Sequence, residues 1–465
     1  MAARKPRAKR MSAQVVEDEE YQLRYERVAG IDVAKDCAVV CLRLPPGPGK
    51  ERRTSRTWEV AARVPDIEAL AAELEAAGVQ LVSMESTSDY WRVWFVVLEA
   101  AGLAVQLVNS SQARQLAGRP KTDKADAAWI ARLTEMGLLR PSFVPPAEIR
   151  ALRQYTRQLV HLTQDRTRYW QRREKLLESA LCKLTSVVSA LAGSVSCLAM
   201  LEAMIAGETD PQVLAGYARG PMKAKHAALV KAFTGMRFGP EHAFAAASDL
   251  RMIKMLDAEI DALEARVRDH VAAIPAAWGV DADGTTGPGA GTGPDAAVLP
   301  AIDRLAEIPG VSPALAAGLI AEIGLDMSRF PTAGHLVSWA GLAPVPDQSG
   351  SRKGRGKKGA GSSYARRYAG QAGSGAARTD SFLGERHRRI RSRPGGGGWK
   401  KASFAVGRSI LVIVWHLLND PAARYRDLGP DHYAQHADTN RKARGHKRQL
   451  EALGYDVILT PRETA

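Results

Sequence analysis

"VAGIDVAKDCAVVCLRL", residues 28–44, reads as a strand, a short turn and a second strand. One acid, Asp32, stands among apolar neighbours in the first of them, where burial without a partner is expensive. Outward from this hairpin, "PPGPGK" (45–50) is a turn and "RTWEVAARV" (56–64) a third strand. "PDIEALAAELEAAG" (65–78) is a helix opened by proline and closed by glycine. "VQLVSMES" (79–86) is a strand, "SDYWRVWFVVLEAAG" (88–102) a helix and "LAVQLVNS" (103–110) a strand, and two helices close the block at Gly137. Three strands joined by turns, then helix–strand–helix–strand–helix, describe a mixed sheet flanked by helices.

That order is compatible with an α/β RNase H-like fold, in which the first and fourth strands are neighbours. Asp32 on the first strand and Glu85 at the end of the fourth then reach the same sheet edge. "KTDKADAAWIARLTEMG" (121–137) adds Asp123 and Asp126, on one face of a helix and within a turn of each other. Acids are tolerated at a helix N-terminus, so capping and the helix dipole alone explain the pair in isolation. With the sheet order in place, the helix can pack across the edge that carries Asp32 and Glu85. Four converging acids in a basic protein make sense if divalent cations neutralise them, and hard oxygen ligands select Mg²⁺ or Mn²⁺. Two such ions about 3.5–4 Å apart clamp the attacking and leaving oxygens of a phosphodiester. Asp36 is a competitor, but it falls in the turn.

At 465 residues the chain calls for two or three domains. Its net charge of +15 points to a polyanion, nucleic acid first and an anionic membrane surface second. No stretch reaches the roughly 20 apolar residues of a membrane helix; "SILVIVWHLL" (409–418) reads as a short buried one. The opening "MAARKPRAKR" is a basic tail, assigned to 1–27, with no apolar run behind it. Cys37, Cys41, Cys182 and Cys197 make neither a disulfide framework nor a zinc site, which fits a reducing cytoplasm.

The sheet domain is assigned to 28–140. From 147 to 278 the chain reads as helical. Leu152, Tyr155, Leu159, Leu162, Tyr169 and Leu176 fall on a heptad spacing, as do Ile253, Leu256, Ile260, Leu263, Val267 and Ile274. A coiled-coil hairpin, a dimerisation arm and an ordinary bundle all satisfy this pattern. Residues 279–298, "GVDADGTTGPGAGTGPDAAV", have the composition of a flexible linker. A mainly α domain, 299–430, follows, with a tail or helix at 431–465.

In that domain "LAEIPGVSPALAAGLIAEIG" (305–324) has the pattern of a helix-hairpin-helix, whose turn can approach a phosphate because Gly310 adds no side chain. A hairpin that only packs fits equally well. "SWAGLAPVPDQSGSRKGRGKKGAGSS" (338–363) and "GERHRRIRSRPGGGGWKK" (384–401) crowd Arg352, Lys353, Arg355, Lys357, Lys358, Arg386, Arg388, Arg389, Arg391 and Arg393 into glycine-rich chain. Flexible backbone with dense positive charge suits a groove that follows phosphates. No P-loop can be aligned there, so no nucleotide hydrolysis is expected.

"GIDVAKD" (30–36), "MESTSDYW" (84–91) and "KTDKADA" (121–127) resemble the three acidic motifs of the DEDD transposases of the insertion-sequence-110 family. "IPGVSPALAAGLIAEIG" (308–324) and "SWAGLAPVPDQSG" (338–350) resemble that family's C-terminal domain. The resemblance implies a RuvC-like nuclease fold at the N-terminus, with Asp32, Glu85, Asp123 and Asp126 as a metal-binding catalytic tetrad. It also implies a catalytic serine in the second domain, placed at Ser349, with Ser351, Ser362 and Ser363 as rivals. A structured RNA encoded by the element itself, element-end and target DNA, and a bacterial, nucleoid-associated location follow from the resemblance alone; two-ended recombination suggests a dimer or tetramer, for which the heptad helices offer an interface. The chain departs from the family in the basic extension before Val28, in the 279–298 insert and in "GKKGAGSSYARR" (356–367). A junction-resolvase-type nuclease using metal-activated water, and a non-enzymatic binder, are the rival readings.

Overall fold

The computed structural model describes residues 23–49, 52–85, 88–109, 122–293, 295–345, 348–349, 352–353, 357–359, 361–393, 398–435 and 439–458. Residues 1–22 of the basic tail and the segment expected to hold the first of the two closing helices lie outside them. The chain forms two compact units, 1–144 and 145–465.

The first unit runs β1 (Val28–Val33), β2 (Cys37–Leu44), β3 (Thr54–Ala61), α1 (Val64–Ala76), β4 (Leu81–Glu85), α2 (Trp91–Ala100), β5 (Val105–Val108), α3 (Asp123–Glu135) and β6 (Pro141–Ser142). The strands stand in the order β3-β2-β1-β4-β5-β6. β1, β2 and β3 pair antiparallel, β1, β4 and β5 pair parallel, and β6 returns antiparallel to β5. This is an RNase H-like order, with which the alternation of elements in the sequence is compatible. The two-residue β6 is an addition to it.

Period-two alternation assigns the faces. Ala29, Ile31 and Val33, Ala38 and Val40, and Val82 and Met84 share a core with Ile67, Leu70 and Leu74 of α1 and Trp94 and Leu98 of α2. Each buried Val, Leu, Ile or Met among them is worth about 1.5–3 kcal/mol. The other face is covered by α3, whose Ala127 and Ala131 meet Val39 and Cys41. Gly30 makes that approach possible. A Cβ there would stand 2.3 Å from the Ala131 nitrogen and 2.5 Å from the Ala127 carbonyl oxygen.

In the second unit two 33-residue helices, α4 (Ala147–Ser179) and α9 (Pro240–Ala272), run antiparallel over about 50 Å. His270 Nε2 meets the Glu148 carbonyl at 2.8 Å at one end, and Arg173 Nη2 donates to the Ala246 carbonyl at 3.2 Å near the other. Arg166 pairs with Asp257 at 2.7 Å between them. Of the heptad stripe on α9, Ile253, Leu256, Ile260 and Val267 are buried inside the unit; of that on α4, Leu152 is buried and Tyr155, Leu159, Leu162, Tyr169 and Leu176 are half-buried. The short helices α5 (Leu184–Val187), α6 (Val195–Ile205), α7 (Pro211–Gly216) and α8 (His226–Phe233) close over the far end around Met200, Leu214 and Phe233.

Residues 279–298, expected to be a flexible linker, form a paired loop instead. Val280 bridges both Thr286 and Val298, and Asp281 accepts from the Gly291 amide at 2.8 Å. Its glycines serve close approach: a Cβ on Gly291 would stand 2.2 Å from the Val298 carbonyl oxygen.

The remaining helices are α10 (Ala301–Ala306), α11 (Pro313–Ile323), α12 (Ala333–Trp339), α13 (Ser363–Ala376), α14 (Phe382–Arg391), α15 (Gly398–Asn419), α16 (His432–Gln435) and α17 (Thr439–Ala452). The apolar run expected to be short extends into α15, which is long and apolar enough by length and composition to cross a membrane. Half of that stretch is buried: Val406, Ile410, Leu411 and Val414 make it the core helix of this unit. Gly373 of α13 and Gly407 of α15 let the two helices touch backbone to backbone.

Gly310 has φ +87°, and a Cβ there would stand 2.2 Å from the Ala376 nitrogen. Its missing side chain makes room for α13, which is what the packing reading of this hairpin expects. Between α12 and α13 lie two nested ladders, β7 (Pro344–Val345) with β10 (Lys357–Lys358), and β8 (Gln348–Ser349) with β9 (Arg352–Lys353). The excursion closes at its root, where a Cβ on Gly361 would stand 2.5 Å from the Gly341 nitrogen.

Candidate catalytic site and nucleic-acid interface

The β1–β4 register ends at Ile31 opposite Met84, so Asp32 and Glu85 are the next residues on adjacent strands, level and on the same face. That face belongs to α3, because Thr134 donates to Ser83 Oγ at 2.7 Å two residues before Glu85. α3 runs antiparallel to β1. Its last residue, Glu135, ion-pairs with Arg43, the β2 partner of Val28 at the start of β1. The N-terminal turn of α3 therefore lies over the end of β1 that carries Asp32. Thr122 caps that turn, accepting from the Ala125 amide at 3.3 Å.

Glu85 is buried, Asp32 and Asp126 are half-buried and Asp123 is exposed. The thiol of Cys37 registers the negative field. A hydrogen bond with Glu59 raises its pKa first, then burial, then the charges of Glu59, Asp36 and Asp123. Glu59, on the same face of β3, is a residue the sequence reading did not single out. Its only signal was alternation along the strand. Asp36 is exposed, in the turn as expected.

Four carboxylates offer the hard oxygen donors that Mg²⁺ or Mn²⁺ takes. They share one end of one face, yet among the described residues no three His, Cys, Asp or Glu side chains form a group that could hold a metal ion. The donor chemistry fits; closure around a common centre is not present in this arrangement.

In the second unit, the backbone of Ser349 pairs with Arg352, with only residues 350 and 351 between them, so Ser349 stands at the tip of the ribbon. The side chains of Ser349, Arg352, Lys353, Lys357 and Lys358 lie outside the described residues, as do Ser351 and Arg355 altogether. Ser362 caps α13 and donates to Glu322 Oε2 at 2.9 Å, which gives it a structural role. Ser363 is the first residue of that helix.

Glu322 is buried and accepts from Arg157 Nε and Nη2, at 2.9 and 3.1 Å. Burial works to lower the Arg157 guanidinium, but the bond and charge of Glu322 outweigh it and hold it above its ordinary value. Nearby, burial pushes the Tyr368 hydroxyl up to about 12.

Arg386, Arg388, Arg389 and Arg391 sit on α14 rather than in flexible chain. Arg386 donates to the Tyr433 hydroxyl at 2.8 Å and Arg388 pairs with Glu385 at 3.0 Å. Arg389 lies over the Tyr433 ring and Arg391 over Trp399. Arg388, Arg389, Arg391 and Arg393 remain exposed.

Residues 29–181 match the profile of the DEDD transposases of IS110 elements, and residues 302–388 that of the transposases of the IS116/IS110/IS902 family. An insertion element IS116 protein of 44.8 kDa from Streptomyces clavuligerus, described as uncharacterized, is 51% identical over 47 residues. That match covers 10% of this chain and 12% of the relative. Two structures of Thermus thermophilus RuvC, one in complex with Holliday junction substrate, align with 20% and 18% identity and a TM-score of 0.20. They cover 25% of this chain and 99% and 100% of theirs. The chain belongs to the IS110 family of transposases.

Proposed function

We propose that this protein is the transposase of an insertion element, cutting and rejoining DNA at the element's ends and at its target. One observation carries the reading: the Gly30 contact lays α3 across β1, so that Asp123 and Asp126 stand at the sheet edge of Asp32 and Glu85. Those four residues would hold Mg²⁺ or Mn²⁺, which supplies Lewis acidity to the phosphate oxygens. The Thr122 cap fixes the first turn of α3, and Gly30 sets its height above the strands.

In this reading Ser349 is the nucleophile. Its Oγ–phosphorus bond forms as a phosphodiester P–O bond breaks, and the serine proton ends on the departing DNA oxygen. Attack by a DNA hydroxyl reverses the step, so strands exchange without ATP. Basic residues of the ribbon and of α14 bind the phosphates. Guidance by an element-encoded RNA rests on the family resemblance alone. Joining two ends calls for a dimer or tetramer.

Incubating the protein with element-end DNA and Mg²⁺ should give a covalent adduct on a denaturing gel, absent in Ser349→Ala. Asp32→Ala should abolish recombination and keep DNA binding. Cutting that survives Ser349→Ala without any adduct would establish the water route of a resolvase-type nuclease instead.

A further inference from the structure

We infer that the exposed side of the α13–α15 pair binds unpaired nucleotides of a nucleic-acid strand, with Phe404 as the base-stacking surface. The inference rests on the nucleic-acid reading above, but not on the acidic tetrad or on Ser349.

Neither helix contains an acidic residue, while together they carry Arg366, Arg367, Lys400, Lys401 and Arg408. On α15 the spacing of Lys400, Phe404 and Arg408 is one turn each, and Lys401 flanks the same stripe. All four are exposed, Phe404 by 45%. A large apolar ring left open between cations is not what packing of this unit requires.

Phe404 lies over Gly370 of α13, where a Cβ would stand 3.3 Å from its ring. The helices are antiparallel, since Gly373 meets Ser403 and Gly407 meets Ala369. Arg366, one turn before Gly370, therefore lies beside Arg408, one turn after Phe404. Arg366 also donates to the Gly359 carbonyl at 3.1 Å, at the root of the basic ribbon. Positive charge thus continues from Arg366 to Arg408, Lys401 and Lys400. Among the described residues no ion pair engages Lys400, Lys401 or Arg408.

Cations spaced along a track and an aromatic face between them are the two elements by which proteins hold single strands. In a duplex the base faces are already stacked, so the ring selects unpaired nucleotides, and the cations add affinity for either form.

The test uses full-length protein carrying Asp32→Ala, which prevents cutting, with a fluorescein-labelled 30-nucleotide strand and the matching duplex. In anisotropy titrations Phe404→Leu should weaken single-strand binding about 5- to 150-fold, the worth of one base on an aromatic face, and leave duplex binding unchanged. Phe404→Tyr should restore it. Arg366→Ala with Arg408→Ala should weaken both and flatten the salt dependence. If Phe404→Leu changes both probes equally, or neither, the inference falls. It also falls if that variant alters the oligomeric state in sedimentation while single-strand binding stays intact. Failure of the serine adduct with this pattern present would overturn the Ser349 chemistry and leave the stacking face standing.

Discussion

Replacing Gly30 by alanine tests how the candidate site is assembled. The added methyl would stand 2.3 Å from the Ala131 nitrogen, 2.5 Å from the Ala127 oxygen and 2.8 Å from the Ala131 Cα, all of them backbone atoms. No side chain can rotate away, so α3 itself must retreat by about 1 Å to reach ordinary contact. Overpacking of this kind costs about 1–3 kcal/mol. Asp126 immediately precedes Ala127 and moves with it, while Asp32 and Glu85 stay in the sheet. A misplacement of about 1 Å at reacting groups is worth about 100-fold in rate. Urea unfolding and Mg²⁺-dependent cleavage of element-end DNA should both register the change. Gly47→Ala, with nothing within 4 Å of the new methyl, is the matched control and should leave both unchanged. If Gly30→Ala unfolds at the wild-type urea concentration and cleaves at the wild-type rate, α3 does not set the position of the acids.

Three further outcomes are expected. Glu135→Ala removes a buried carboxylate that holds Arg43 and Arg53; it should cost about 3 kcal/mol, the low end for a broken buried pair because both arginines keep some water, and a urea shift under 1 kcal/mol would refute this. Gly310→Ala combines φ +87° with the contact on Ala376 and should destabilise the protein by about 2–6 kcal/mol without changing DNA affinity; lost affinity at unchanged stability would favour phosphate binding at this turn. His387 is buried, and burial first, then Arg391 and Arg388, holds its pKa below the usual 6.5 against an opposing bond from Trp399. The unfolded chain then takes up the proton first, so stability is full above about pH 6.5 and declines below it, and His387→Gln should remove that slope from thermal melts.

The sheet was legible because alternation survives in β1, β2 and β4, and because their order makes β1 and β4 neighbours. Asp32, Glu85 and the Asp123/Asp126 pair were brought together by the RNase H-like order, with which the alternation of elements is compatible, and by the resemblance of their motifs to the DEDD transposases. β6 was not legible: two residues, one of them proline, give no period. Glycine misled the reading in two places and left it open at Gly310. Residues 279–298 and Gly310 share the composition of mobile or phosphate-binding chain, yet Gly279, Gly291 and Gly310 are small because other backbone lies against them. The basic segment 344–358 looked like flexible chain, and its backbone forms ladders between residues far too few to show a strand pattern. Local composition reports which conformations glycine permits, not which neighbour uses the space.

The contact between Gly361 and Gly341 has a consequence for how this family can vary. Entry and exit of the ribbon adjoin, so the segment between them behaves as a detachable cassette on a fixed helical scaffold. Its length and charge can change, with Ser349 kept in place, without disturbing α12 or α13.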